Sequence, residues 1–242
     1  MERSVYLRIR ELETAHWWFT ARRRIIGRVI ETLALPTPAR VLEAGCGTGG
    51  NLDLLRRLGP LRAMELDEAS RAYAAERSGL AVDGGALPDD LPYPPASFDL
   101  VCAFDVVEHV DDDQGSVAAL AALLAPGGVL LTTVPAYAWM WSRHDELHHH
   151  KRRYRLRDYR RLFEAAGLKV ERASYFNTLL FPLAVAQRLA KKLLKRSGPD
   201  DAMPPPSLNR LLEGVFGAER HWLARNSLPF GLSILLAARK AG

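Results

Sequence analysis

The chain of 242 residues has only two cysteines, Cys46 and Cys102, each in an apolar or glycine-rich setting. So few thiols exclude the disulfide frame of a small secreted domain, and a reducing cytosol is the expected compartment. The N-terminal stretch MERSVYLRIRELE lacks the apolar centre of a signal peptide. No uncharged run has the makeup of a membrane span. The longest, Gln114 to Ser142, is broken in its middle by Pro126-Gly127-Gly128, and it reads as a helix, a turn and a buried strand. Internal repeats are absent, and low complexity is confined to the linker Ser197–Ser207 with its three consecutive prolines.

What is present is an ordinary globular composition, 48% hydrophobic and 25% charged, long enough for one well-buried α/β domain. The net charge of +5 has a local origin. Between Arg143 and Arg161 stand eight Lys/Arg against Asp145, Glu146 and Asp158, which accounts for the whole excess. A basic segment of this kind argues for one charged region, not for a surface that adheres to nucleic acid throughout.

Hydrophobic periodicity predicts a first helix over Val5–Leu35, then strand Arg40–Glu43, a glycine-rich turn and helix Asn51–Leu58. The alternation continues through strand Leu61–Leu66, helix Glu68–Arg77, a Pro- and Asp-rich loop and strand Phe98–Phe104. Helix Gly115–Leu124, strand Val129–Val134, helix Leu156–Ala166 and strand Leu168–Tyr175 follow. The tail holds a mostly apolar helix over Phe176–Arg196, the linker, a helix over Leu208–Ala224 and a last strand over Leu232–Ala238. Strands alternating with helices imply an α/β, doubly wound, mostly parallel sheet with its ligand crevice at the carboxyl ends of the strands.

Gly45-x-Gly47-x-Gly49 ends the first strand, where a backbone without side chains passes close to a ligand and its amides receive negative charge. Glu65 ends the second strand, in the position of a carboxylate that accepts ribose hydroxyls, with Asp67 beside it. Four segments in order then resemble the class I S-adenosylmethionine-dependent methyltransferases over roughly the first 175 residues: VLEAGCGTGG, MELDEAS, LPYPPASFDLVCAFDVVEHV and LLAPGGVLLTTVP. Small-molecule and ubiquinone-pathway enzymes are the similar members.

The resemblance implies a seven-stranded Rossmann-like sheet with an N-terminal helical cap (1–38), a cofactor-binding core (39–175), a helical insertion (176–228) and a returning last strand (229–242). It implies S-adenosylmethionine as cofactor and S-adenosylhomocysteine as product. The implied cofactor residues are Glu43, Gly45, Gly47, Gly49, Glu65, Leu66, Phe104 and Asp105, with Ala86 and Leu87 for the adenine. Ala86 departs from the pattern, since many relatives have Asp there to bind the adenine amino group, which leaves backbone amides or Asp89 for that task.

Methyl transfer from a sulfonium needs alignment, desolvation and removal of a proton rather than a covalent nucleophile. Asp105 and His109 follow the fourth strand, and His109, with an unperturbed pKa near neutrality, is placed before Asp105 as base. His150 is the third catalytic candidate. Asp105-x-x-Glu108-His109 with His150 also resembles the metal constellation of small-RNA 2′-O-methyltransferases and ubiquinone-pathway O-methyltransferases. A divalent metal is not favoured there and none is assigned, since V-x-E-H is common in relatives that use no metal and Glu108 can simply begin a helix. At the separate tract His144, His148, His149 and His150, Lys151-Arg152-Arg153 makes a cation site costly unless Asp105, Glu108 and Asp111–Asp113 converge on it.

On the acceptor side, the aromatic run Trp17-Trp18-Phe19 divides between a pocket cover and a core stripe. The apolar helix of 178–196 reads first as an acceptor lid, second as a peripheral contact with anionic lipid, third as a dimer interface. The expected acceptor is a small, anionic or lipid-like metabolite methylated on oxygen or nitrogen, in a monomer or homodimer that does not bind nucleic acid. The rival readings are a metal-assisted nucleic-acid 2′-O-methyltransferase and a cofactor-binding partner protein without catalysis.

Overall fold

The computed structural model describes residues 2–193 and 202–242. Positions 197–201 of the linker, and Lys195 and Arg196 of the basic helix end, lie outside the described residues. The strands are β1 (Val41–Ala44), β2 (Leu61–Met64), β3 (Val82–Asp83), β4 (Phe98–Phe104), β5 (Leu124–Pro135), β6 (Leu168–Phe176) and β7 (Ser233–Lys240). They form one sheet in the order β3-β2-β1-β4-β5-β7-β6. Neighbours from β3 to β5 pair in parallel, and β7 runs antiparallel to both β5 and β6. This is the seven-stranded, doubly wound sheet that the sequence predicts.

The period of two along each strand supplies two apolar faces. Leu42, Val101 and Leu130 stand in register across β1, β4 and β5. They pack on Val117 and Leu120 of α5 (Asp113–Leu123) and on Tyr159 and Phe163 of α7 (Leu156–Ala165). One residue earlier, Val41, Leu100 and Val129 face the other side. There they meet Ile25, Ile26 and Val29 of α2 (Trp17–Ile30) and Phe216 of α9 (Pro206–Leu223). Sheet and helices thus bury one another on both faces.

Several elements differ from their sequence pattern. The periodicity of Val5–Leu35 predicts one helix, but the chain forms α1 (Arg3–Leu12) and α2, with His16 as the cap that accepts the Trp18 amide at 3.3 Å. The helix predicted at Asn51–Leu58 is a single turn, α3 (Leu52–Leu55). Four residues beyond its end, at Gly59, a Cβ would lie 2.4 Å from the Ala39 carbonyl oxygen. The chain must turn back there to enter β2. Strand β3 has only two residues, too few for any period to show.

The remaining helices are α4 (Glu68–Ser78), α6 (Arg143–Leu147) and α8 (Phe181–Leu193). Within the segment predicted as an insertion, α9 is a layer of the core. Trp17 meets Phe216 edge-on at 5.9 Å, Phe216 stacks on Phe176 at 6.0 Å, and Arg24 pairs with Glu213 at 2.7 Å. This docking also takes up Trp17 of the aromatic run.

Two buried acids connect the core to its stability. Glu219 on α9 accepts the amides of Asn177, Thr178 and Leu179 at 2.7, 2.7 and 2.8 Å, holding the turn between β6 and α8. Glu219→Ala would leave three amides without their acceptor and should cost about 3 kcal/mol or more in urea unfolding. A loss well under 1 kcal/mol would contradict that anchoring role. Glu43, inside the fully buried β1, has one oxygen bonded to Asn51 at 2.8 Å, and burial pushes its carboxyl up to about 8. The protonated form is therefore favoured by folding. Its contribution is complete below the ordinary carboxyl value of 4.5 and is lost as pH rises toward 8. Between those limits the wild type should lose stability relative to Glu43→Gln by up to about 1.4 kcal/mol per pH unit. Parallel stability profiles of the two proteins would contradict it.

Candidate active site

At the end of β1 the chain bends onto β2, with the Gly45 and Cys46 amides donating to the Met64 carbonyl at 2.9 and 3.0 Å. Gly45 has φ +73°, and a Cβ there would stand 2.6 Å from a Val106 methyl. The bend therefore needs glycine for both its backbone sign and its clearance. Gly47 and Gly49 are also left-handed. Beyond the loop lies the buried Glu65, whose oxygens accept the Gly47 amide at 2.8 Å and the Asp67 amide at 2.9 Å. Burial raises its carboxyl pKa while these two bonds pull the other way. Leu66, next in the chain, is 70% exposed at the rim.

The N-terminal helices close over this loop. Glu13, just after α1, is buried, accepts the Thr48 hydroxyl at 2.8 Å and pairs with the Arg77 guanidinium. Tyr6 stands close enough to Glu65 and Asp67 that burial and both charges raise its phenol pKa. Farther along the edge, Ala86 and Asp90 exchange both backbone hydrogen bonds, at 2.8 and 2.9 Å. The Ala86 amide is thus occupied. Asp89 is exposed and Leu87 packs against the main core cluster.

After β4 the backbone takes a left-handed step at Asp105, φ +56°. Its carboxylate accepts Arg22 at 2.6 Å and the Thr133 hydroxyl at 3.1 Å, and Arg22 also donates to Thr133 at 2.7 Å. Arg22 is only 6% exposed and lies between the Trp18 and Phe104 rings, 5.0 and 5.5 Å from their centroids. Within the run Arg22-Arg23-Arg24, Arg22 stands three, four and seven positions before Ile25, Ile26 and Val29. That spacing places it on the apolar face of α2 and is the signal for its burial.

Tyr137 and Asn177 repeat the left-handed step after β5 and β6, with φ +59° and +58°. Three such non-glycine residues thus stand along the carboxyl edge of the sheet, the edge where doubly wound sheets have their ligand crevice. Around Tyr137 an aromatic wall forms, with Tyr175 stacked at 5.1 Å, Trp139 at 5.7 Å and Phe181 tilted at 5.8 Å. Trp139 is 59% exposed and borders a cavity of about 440 Å³ with Arg153, Tyr154, Arg155 and Asp158. Sequence reasoning missed this wall because its members come from three separate segments.

Glu108 and His109 lie in a short 3-10 turn, Val107–His109. Glu108 is 0% exposed and neither carboxylate oxygen has a hydrogen-bond partner. Burial, then Asp105, pushes its carboxyl well up. The His109 ring lies 4.7 Å from that of His150. Burial and His150 lower its pKa to about 4, so the unperturbed titration expected for this base does not hold and the ring is neutral at neutral pH. One ligand-type atom from each of Glu108, His109 and His150 falls within 4.8 Å of the others. Asp105 is outside that group.

His150 is oriented by Asp145, with Nδ1 to Oδ1 at 2.9 Å, and Asp145 also accepts Arg153 at 2.6 Å and the Ser142 amide at 2.8 Å. Burial opposes ionisation of Asp145, but the bonds from His150 and Arg153 prevail and hold it below the usual carboxylate range. The basic segment is largely internally paired. Lys151 meets Asp111, Arg152 meets Asp113, Arg160 meets Glu164 and Arg161 meets Asp158, at 3.2, 2.8, 2.7 and 3.7 Å. With Arg153, that satisfies five of its eight cations. Asp112 caps α5 through the Gly115 amide. Among the described residues, no helix is long and apolar enough to cross a membrane.

Residues 17–173, more than half of the chain, match the family described as a methyltransferase domain. A protein of Mycolicibacterium smegmatis named as a probable S-adenosylmethionine-dependent methyltransferase is 32% identical over 164 residues, covering 66% of this chain and 62% of that protein. A ubiquinone biosynthesis O-methyltransferase of Methylocella silvestris is 40% identical over 97 residues, 38% of each. The matches thus span less than two thirds of these curated relatives. Among solved structures, the methyltransferase in complex with the Haloferax volcanii Trm112 methyltransferase activator superposes with a TM-score of 0.66 at 18% identity, covering 99% of this chain and 95% of that one. A geranyl diphosphate methyltransferase solved with S-adenosylmethionine gives 0.61 at 16%, covering 92% and 85%. These two are likenesses of fold. With the family match over residues 17–173, the chain belongs to the methyltransferase-domain family, in its class I S-adenosylmethionine-dependent form.

Proposed function

We propose that the protein transfers a methyl group from S-adenosylmethionine to an oxygen or nitrogen of a small acceptor with an apolar, planar body. The observation that carries this reading is the left-handed glycine loop bonded through Gly47 to the buried Glu65 at the next strand end. Gly45, Gly47 and Gly49 would hold the methionine part and Glu65 the ribose, while Leu66 and Leu87 flank the adenine. Ala86, its amide occupied, would contribute only contact. Glu43, bonded to Asn51 just after the loop, would lie beneath it, and Phe104 and Asp105 would line its far side.

S-adenosylmethionine supplies, when bound, a methyl group on a positively charged sulfur. The chain's own task is to align and to exclude water. Glu13 and Tyr6 cover the loop from the N-terminal side, and the Arg22–Asp105 pair sets the floor where the acceptor stands. Tyr137, Trp139 and Phe181 offer ring faces for a planar body. An acceptor lone pair forms the new bond to the methyl carbon as the carbon–sulfur bond breaks, its electron pair returning to sulfur. The acceptor's proton leaves to solvent at the same edge.

Glu65→Ala removes the ribose acceptor and should weaken S-adenosylhomocysteine binding by about tenfold to a hundredfold in calorimetry, with the circular dichroism of the fold retained. Unchanged affinity in a folded variant would sink the assignment. In wild type, methyl-labelled cofactor incubated with a panel of aromatic and aliphatic hydroxyls and amines should release S-adenosylhomocysteine with at least one acceptor.

A further inference from the structure

Five of the eight cations between Arg143 and Arg161 are matched by carboxylates, which leaves Arg143, Arg155 and Arg157. Among the described residues the side chains of these three have no ion-pair or hydrogen-bond partner. Arg155 alone of them borders the cavity of about 440 Å³ beside Trp139. The backbone puts it there. The Tyr154 amide donates to the Pro135 carbonyl at 3.0 Å and the Tyr137 amide to the Tyr154 carbonyl at 2.8 Å, so Tyr154 bridges in parallel to the exit of β5. Tyr154 itself turns inward, 6% exposed with its hydroxyl on Asp113 at 2.9 Å. Side chains two apart in extended backbone share a side, and Arg153 and Arg155 both border the cavity. Arg153 gives Nε to Asp145 at 2.6 Å and Nη1 to the Ala136 carbonyl at 3.1 Å, which leaves its Nη2 without an acceptor among the described residues. The Leu156 amide donates to the Tyr175 hydroxyl at 3.1 Å, tying this rim to the aromatic wall.

We propose that this cavity is the anion-binding end of the acceptor pocket, where Arg155, assisted by Nη2 of Arg153, takes the carboxylate of an acceptor whose planar body lies against Trp139. Trp139 belongs to both regions: it stacks on Tyr137 in the wall, yet it remains 59% exposed at the cavity. A planar body on that ring reaches the arginines with one end and leaves the other for the methyl group. Arginine suits this task because its fork of N–H donors matches both carboxylate oxygens and its charge persists at every working pH. The charge of the lining selects the occupant. Arg153 is matched by Asp145 and Asp158 by Arg161, so the charge of Arg155 alone is uncompensated. One negative charge completes that balance, whereas a phosphate dianion would bring a second one toward Asp158. Capture of a carboxylate stands on the cavity itself. Its service to an acceptor rests on the methyl-transfer reading.

The test uses the full chain and two planar probes, a hydroxynaphthoate and its uncharged carboxamide, with binding read by equilibrium dialysis at physiological salt. Wild type should hold the acid about tenfold tighter than the amide. Arg155→Ala should bring the two to equal affinity, and Arg155→Lys should restore part of the preference. Arg157→Ala, which removes an equal charge two positions on, should keep all of it. The Arg155 side chain is exposed and has no partner to lose, so its variants keep the fold. Equal binding of acid and amide by wild type, or binding of neither, overturns the subsite. So does a preference that survives Arg155→Ala, or one that is lost equally in Arg157→Ala, since overall charge would then be its source. S-adenosylhomocysteine calorimetry on the same samples reads the cofactor site separately. Cofactor binding without acid preference defeats the subsite alone, and acid preference without cofactor binding defeats the methyl-transfer reading alone.

Discussion

A guanidinium buried at the carboxyl edge of the sheet holds the functional half of this molecule together. Arg22 comes from the N-terminal helical layer, yet its charge is satisfied by Asp105 after β4 and Thr133 on β5. An unpaired charge at that depth would be expensive, so cap and sheet are held to one relative position. Removing either partner would leave the other stranded. Everything nearby inherits this geometry: the left-handed step at Asp105, the turn that buries Glu108, and the approach of α2 to the glycine loop.

From that pair the edge divides into two regions. On one side, β1 and β2 end in a glycine loop and an acid held by backbone amides, covered by Glu13 and Tyr6. On the other, β4, β5 and β6 each leave the sheet through a strained residue, toward a polar cluster around Glu108 and an aromatic wall around Tyr137. A nucleoside is held best by the first kind of surface, and an acceptor by the second. The gap between them, at Phe104 and Asp105, is where the methyl group would pass.

Strand Phe98–Phe104 is legible to the residue because its apolar run is bounded by turn residues, and helix Leu156–Ala165 because its face repeats at helical spacing. The glycine loop and Glu65 are legible through local spacing. Long-range pairing is not. Nothing in the local pattern states that Arg22 will meet a residue 83 positions away, or that Lys151-Arg152-Arg153 will be consumed by Asp111, Asp113 and Asp145. The surplus of positive charge between Arg143 and Arg161 reads from the sequence as one charged region, and the structure pairs most of it with carboxylates of the same chain. His109 shows the same limit, since its titration is set by burial and by His150.

The central claim is that the cofactor lies between the glycine loop and Glu65 with its sulfur toward the Asp105 edge. A crystal structure of the chain with S-adenosylhomocysteine tests it most directly. The account predicts ribose hydroxyls on the Glu65 carboxylate, adenine between Leu66 and Leu87, and sulfur facing the gap beside Phe104 and Asp105. A ligand bound elsewhere, or with its ribose away from Glu65, would contradict it.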